Sequence, residues 1–153
     1  MPLINDDMRA LIEGPSSILV GTRGADLVPN AMRGWGGRVS DDGNAIEVFV
    51  DRPAAATGVS NLHDNGRVTA CFTDITTNRS VQVKGRCVEV GDPQAGDWDF
   101  IDGQRHGFRD ICGMLGFPPQ MIRNMWSTQV VKIRFIAEQV FNQTPGPEAG
   151  KAL

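Results

Sequence analysis

Much that would announce a function is missing from this chain of 153 residues. There is no basic excess: Lys and Arg total 15 against 18 Asp and Glu, for a net charge of −3 at pH 7. Nucleic-acid binding leaves a basic patch or stripe, so nucleic acid is not an expected partner. No apolar run approaches the ~20 residues that span a bilayer, so no membrane role is expected. The first residues, MPLINDDMRALIEG, are acidic and lack the basic and apolar regions of a signal peptide. A cytoplasmic location is the expectation. The three cysteines, Cys71, Cys87 and Cys112, are too few and too widely spaced for a disulfide framework or a zinc site. They are expected as buried free thiols. Only two histidines occur, His63 and His106, and neither is paired in sequence with a Ser or Cys nucleophile. Catalytic triads and metal clusters are not expected. There is no internal repeat and no linker, and the length suits one domain.

What the chain does have is alternation. Val68, Ala70 and Phe72 point one way, and Thr69, Cys71 and Thr73 the other. Val81 and Val83 alternate with Gln82 and Lys84. Period-two patterns mark half-buried strands. Similar runs predict strands over 17–22, 28–33, 46–50, 67–73, 80–90 and 130–136, the last extending toward Phe141. After Gly85 the apolar positions move to Val88 and Val90, which predicts a β-bulge at that glycine. Asp41-Asp42-Gly43-Asn44 is a hairpin turn. Helices are expected where the spacing changes. Met8, Leu11 and Ile12 share a face of an N-terminal helix within 1–14, with Asp6 and Asp7 in its first turn. Pro53 stands at a helix start and Gly66 ends that helix. Trp98, Ile101, Phe108, Ile111, Cys112 and Leu115 have the spacing of a buried helical face, and Met121, Ile122, Met125 and Trp126 form a second. Residues 143–153 are an irregular tail. Six or more mainly antiparallel strands with peripheral helices form a barrel.

The order of these pieces resembles the flavin-binding split-barrel family of pyridoxamine 5'-phosphate oxidase. The matching elements are PNAMRGWGG, AIEVFVDRP, the helix end SNLHDNG, the strand RVTACFTD and the strand NRSVQVKGRCVEV. The resemblance covers roughly residues 16–90. It implies a split β-barrel, flavin mononucleotide (FMN) as cofactor, and a homodimer with the flavin between subunits. It also implies an oxidoreductase, in which the cofactor performs the redox step and the protein positions it. The vitamin B6 reaction is not expected, because the C-terminal FNQTPGPEAGKAL has no Arg-rich substrate segment.

Three residues depart from the family's pattern. Thr57-Gly58 stand where a basic pair grips the phosphate, and Met32 stands where the second strand carries an Arg. Arg33, Arg52, the Thr57 and Ser60 hydroxyls, and the N-terminus of the helix after Pro53 are the substitutes, since helix N-termini bind phosphate through backbone groups. Gly34, Trp35 and Val50 complete the expected cleft. Arg79 and Ser80 match a pair that faces the flavin of the neighbouring subunit. Each has a plainer reading. Arg33 suits an outer strand face, Arg52 a solvated turn, Thr57 and Ser60 bonds to their own helix, and Arg79 an ion pair with Asp74. Trp35 suits a core or interface position. His106 is either an exposed helix residue or an acid–base group at a cleft. The substrate and electron donor are unknown from sequence. The alternative function is a binding or sensing module on the same barrel, holding a flavin, a haem or nothing.

Overall fold

Six alternating stretches become the six strands of one closed antiparallel barrel. The computed structural model describes residues 1–153. In chain order the elements are α1 (Asp6–Glu13), β1 (Ser17–Arg23), β2 (Pro29–Val39), β3 (Ala45–Asp51) and α2 (Arg52–Asn65). Then follow β4 (Arg67–Thr73), β5 (Ser80–Gly91), α3 (Ala95–Met114), α4 (Pro119–Arg123) and β6 (Val130–Asn142). The strands close in the order β1-β2-β3-β6-β5-β4. β6, reached only after two helices, closes the barrel by pairing with both β3 and β5. No helix is long and apolar enough to cross a membrane.

The inward residues are those the alternation selects. Ile18, Val20, Ile46, Val48, Val50, Val68, Ala70, Phe72, Val81, Val83, Ile133 and Phe135 form one core. Burying each large apolar side chain contributes roughly 1.5–3 kcal/mol. Met8, Leu11 and Ile12 of α1 join this core, as do Ala55 and Leu62 of α2. The Asn5 side chain caps α1 by accepting from the Met8 N–H at 2.9 Å. Gly66 ends α2 in the left-handed conformation, φ 67°, a C-terminal geometry that favours glycine.

Bulges shape the wall, and the pairing of β5 with β6 has two, one at Gly85 as the sequence predicts and a second at Val88. Cys87 pairs with Phe135 and Glu89 with Arg134, so the extra β5 residue is Val88, which is exposed. Gly85 itself lies at the other bulge, beside an extra β6 residue, Glu138. Its role is close approach: a Cβ there would lie 2.0 Å from the Ile136 carbonyl oxygen. Another bulge lies in β2, where Trp35 and Gly36 together oppose Phe49 of β3. The cysteines are free, as expected, but only Cys112 is buried; Cys71 and Cys87 are half-buried. Burial pushes all three thiols up.

Candidate functional site

The β2 bulge decides which groups leave the barrel. Before it Met32 and Gly34 face inward, and after it Gly37 and Val39 do. Trp35 and Gly36 therefore both face outward, beneath α3. There Trp35, Phe49, Ile101, Phe108, Cys112, Ile122 and Val130 form a second apolar cluster. Gln104 of α3 braces the bulge. It accepts from the Gly37 N–H at 2.9 Å and donates to the Gly37 carbonyl at 3.1 Å and the Glu13 carbonyl at 2.5 Å.

A buried polar network links this cluster to the start of α2. The Trp35 Nε1–H donates to Asp51 Oδ2 at 2.6 Å. Arg105 of α3, 4% exposed, donates to Asp51 Oδ1 at 3.3 Å and to the Ser127 carbonyl at 2.9 Å. Its guanidinium stands 5.8 Å from the ring centres of both Trp35 and Trp126. Burial pushes the Asp51 carboxyl above the usual carboxylate range, against the opposing pull of Trp35 and Arg105. Asp51 is also the N-cap residue of α2, yet its carboxylate makes no cap hydrogen bond. The Arg52 N–H is taken by the Gln129 carbonyl at 2.9 Å, and Pro53 has none. Ala54 is thus the donor that a cap would have satisfied.

Beside this helix start lies a cleft of about 380 Å³ between α2 and the strands β5 and β6. Ala56, Val59, Val90 and Val131 wall it, Arg52 stands at one end and His63 toward the other. Along α2, Arg52 to His63 spans about 16 Å at 1.5 Å per residue. Arg52 pairs with the exposed Asp92 and reaches the Val130 carbonyl at 3.3 Å. An exposed ion pair contributes little, so an anion can displace Asp92.

The expected cleft residues are not gathered in one place. Arg52 lines the α2 cleft, whereas Thr57 and Ser60 are exposed on another face of α2. Val50 is fully buried in the barrel core and so walls no surface cleft. Gly34 also faces the core: a Cβ there would meet Ile18 Cγ2 at 2.5 Å, so its bareness accommodates Ile18. Trp35 is 4% exposed and edge-on to Phe108. Arg33 lies outward, 5.6 Å from the ring centres of Trp35 and Phe108. Arg79 pairs with Asp7 of α1 rather than with Asp74, which accepts instead from Thr76. Ser80 is buried against the Thr73 hydroxyl. His106 is exposed, its ring 5.3 Å from that of Trp126.

The residues fit a phosphate at one place and not at another. The start of α2, with Arg52 and an uncapped N–H, suits an anion beside an apolar wall. The position of the family's basic pair does not. A Cβ on Gly58 would lie 2.3 Å from Met32 Sδ, so the apolar Met32 fills the space a cation would need.

The sequence reading missed Asp51, Gln104 and Arg105. A signal for Arg105 was present: with Ile101, Phe108 and Cys112 it shares one helical stripe. A charged residue on a buried stripe implies a buried partner.

No family model matches the chain, and no curated protein does. Solved structures do. HupZ of Group A Streptococcus is 20% identical, with a TM-score of 0.58 over 96% of this chain and 99% of that one. A Clostridium acetobutylicum protein of the pyridoxinephosphate oxidase family, related to general stress protein 26, is 17% identical. It aligns with a TM-score of 0.51 over 90% of this chain and 84% of that one. An FMN-binding protein from Syntrophomonas wolfei is 15% identical, with a TM-score of 0.53 over 88% of this chain and 82% of that one. The chain has the split-barrel fold of the pyridoxamine 5'-phosphate oxidase-like proteins, as the resemblance in its sequence implied.

Proposed function

We propose that this protein binds FMN and acts as a flavin-dependent oxidoreductase other than a vitamin B6 oxidase. The observation that carries the reading is the uncapped start of α2, where Arg52 stands at the end of an apolar cleft of about 380 Å³. That volume lies in the range of small-molecule sites. The phosphate takes the Arg52 guanidinium and the Ala54 N–H, with the positive end of the helix dipole behind them. The Thr57 and Ser60 hydroxyls lie further along the same helix. The ring lies on the wall of Val59, Val90 and Val131. A bound flavin supplies electron and hydride transfer, and this chain's residues hold it and exclude water.

The active unit is a homodimer, with Arg79 reaching the flavin edge of the neighbouring subunit, while Ser80 stays buried against Thr73 in its own. Met114, Leu115, Phe117, Met121 and Met125 are exposed around the α3–α4 corner, a patch of the kind that marks an interface. The aromatic residues of the same region, Phe108, Trp98 and Trp126, pack into the second core.

One observation favours a second reading. The contact between Met32 and Gly58 removes the family's phosphate grip, as in a binding module with a degenerate site for a flavin, a haem or nothing. Native mass spectrometry of the purified protein separates the two. A mass excess of one FMN per subunit with flavin absorption supports the first. A haem or no ligand, after growth with riboflavin, supports the second.

A further inference from the structure

A cavity larger than the α2 cleft shares no lining residue with it. It is an open groove of about 680 Å³ on the outer wall of the barrel, and every residue lining it belongs to a strand. Its floor is one rung of the sheet. Ala31 pairs with Gly21, Gly21 with Thr69, Thr69 with Lys84, and Lys84 with Gln139. Strands lie about 4.8 Å apart, so the run from Ala31 to Lys84 is about 14 Å long. Its first three side chains are a methyl, a hydrogen and a threonine. Nothing larger stands at the centre, because a Cβ on Gly21 would meet Thr69 Cγ2 at 2.7 Å. The result is a flat shelf of small groups.

The charge of the groove opposes that of the whole. The protein carries −3, yet the groove is lined by Arg23, Arg67 and Lys84 against one carboxylate, Glu138. Ten of the fifteen Lys and Arg side chains pair with a carboxylate. Arg23 and Lys84 do not. Arg23 donates only to the Gly24 carbonyl, and Lys84 Nζ stands 4.8 Å from the ring centre of Phe141. Arg67 meets Glu138 at 3.2 Å.

We propose that this groove is a second ligand site, for a planar organic anion of mononucleotide size. The ring lies flat on Ala31, Gly21 and Thr69, and the anionic group meets Lys84, Arg67 and Arg23. A flat surface favours a planar partner, and unpaired cations favour a phosphate or carboxylate. The proposal stands independently of the flavin site at α2.

The test uses adenosine monophosphate as the probe, with adenosine and inorganic phosphate as controls, on the intact protein. Calorimetry measures affinity, and amide chemical shifts locate the ligand. The expected result is saturable binding of the nucleotide, at least tenfold tighter than either control. The shifts should centre on Gly21, Ala31 and Thr69. Lys84→Gln should weaken binding about tenfold, through loss of one charge-assisted contact. Ala31→Leu should weaken it by filling the shelf, while Arg123→Gln, in α4, changes nothing. These positions are exposed, so the variants should keep the wild-type melting temperature. The proposal is overturned by absence of saturable nucleotide binding, or by affinity equal to that of phosphate alone. It is also overturned by shifts confined to the α2 cleft, or by indifference to both Lys84→Gln and Ala31→Leu.

Discussion

Gly58 of α2 and Met32 of β2 form a matched pair. A Cβ on residue 58 would stand 2.3 Å from Met32 Sδ and 2.5 Å from Cε. Both positions depart from the family's basic pattern, and the structure shows that they do so together. The bare helix position admits the thioether, and the thioether, 2% exposed, completes the core. Neither change is free of the other.

This coupling is measurable. Gly58→Lys is expected to cost about 1–3 kcal/mol by overpacking, and Met32→Ala about 2–5 kcal/mol by leaving a cavity. The double variant should be more stable than their sum by about 1 kcal/mol or more, because truncating Met32 leaves room for the side chain added at position 58. Urea titrations of the four proteins close the cycle. Strict additivity would show that the two side chains do not compete for one space.

The Asp51–Arg105 pair predicts a pH dependence. Arg105→Met leaves the Asp51 carboxylate buried without its cation, an expected loss of about 3–5 kcal/mol at neutral pH. Burial already raises the Asp51 carboxyl, and Arg105 is one of the groups that pull it back down. Without Arg105 it should rise further. A carboxyl whose pKa is higher folded than unfolded holds its proton more tightly in the native state. Stability therefore falls as pH rises from the ordinary carboxylate value through the folded value. The deficit of Arg105→Met should be largest above that window and shrink at acid pH. A deficit independent of pH between 4 and 8 would contradict this account of the pair.

The sheet was legible in the sequence because burial on one face forces alternation, and alternation survives in any single chain. Val68, Ala70, Phe72, Val81 and Val83 could be placed without knowing their partners. Bulges were harder. An extra residue slips the parity only of its own strand: the β5 slip is at Val88, while the bulge at Gly85 adds its residue to β6. The helix after Pro53 was visible in its end signals. The site was less legible, because its parts come from elements far apart in sequence. Val50 and Gly34 look like cleft residues until the strand pairing sets both on the inward face, Gly34 two residues after the inward Met32 and opposite Val50. Arg105 meets Asp51 across 54 positions, a contact that local spacing does not specify.

The Gln104 brace should matter to the same bulge. Gln104→Ala leaves the Gly37 N–H without its acceptor and frees two carbonyls. A loss of about 1–3 kcal/mol is expected for the buried donor. Hydrogen exchange at Gly37 should accelerate more than exchange in β5. Equal protection in the variant would mean that the bulge holds without the brace.

The proposed homodimer rests on the α3–α4 patch. Met121→Asp combined with Met125→Asp places charge in that interface while both positions are exposed in the subunit. Light scattering at micromolar concentration should give a dimer mass for the wild type and a monomer mass for the variant, at matched melting temperature. A wild-type monomer would remove the dimer, and a dimeric variant would move the interface elsewhere.

The central claim is a phosphate seat at the start of α2. Its most direct test is calorimetric titration of the apo-protein with FMN and with riboflavin, for the wild type and Arg52→Ala. A charge-assisted contact contributes about 1.5–3 kcal/mol, so FMN should bind the wild type about tenfold or more tightly than riboflavin. Arg52→Ala should erase most of that difference while leaving riboflavin affinity unchanged. Equal affinity for both ligands, unaltered by Arg52→Ala, would contradict a phosphate seat at that helix start.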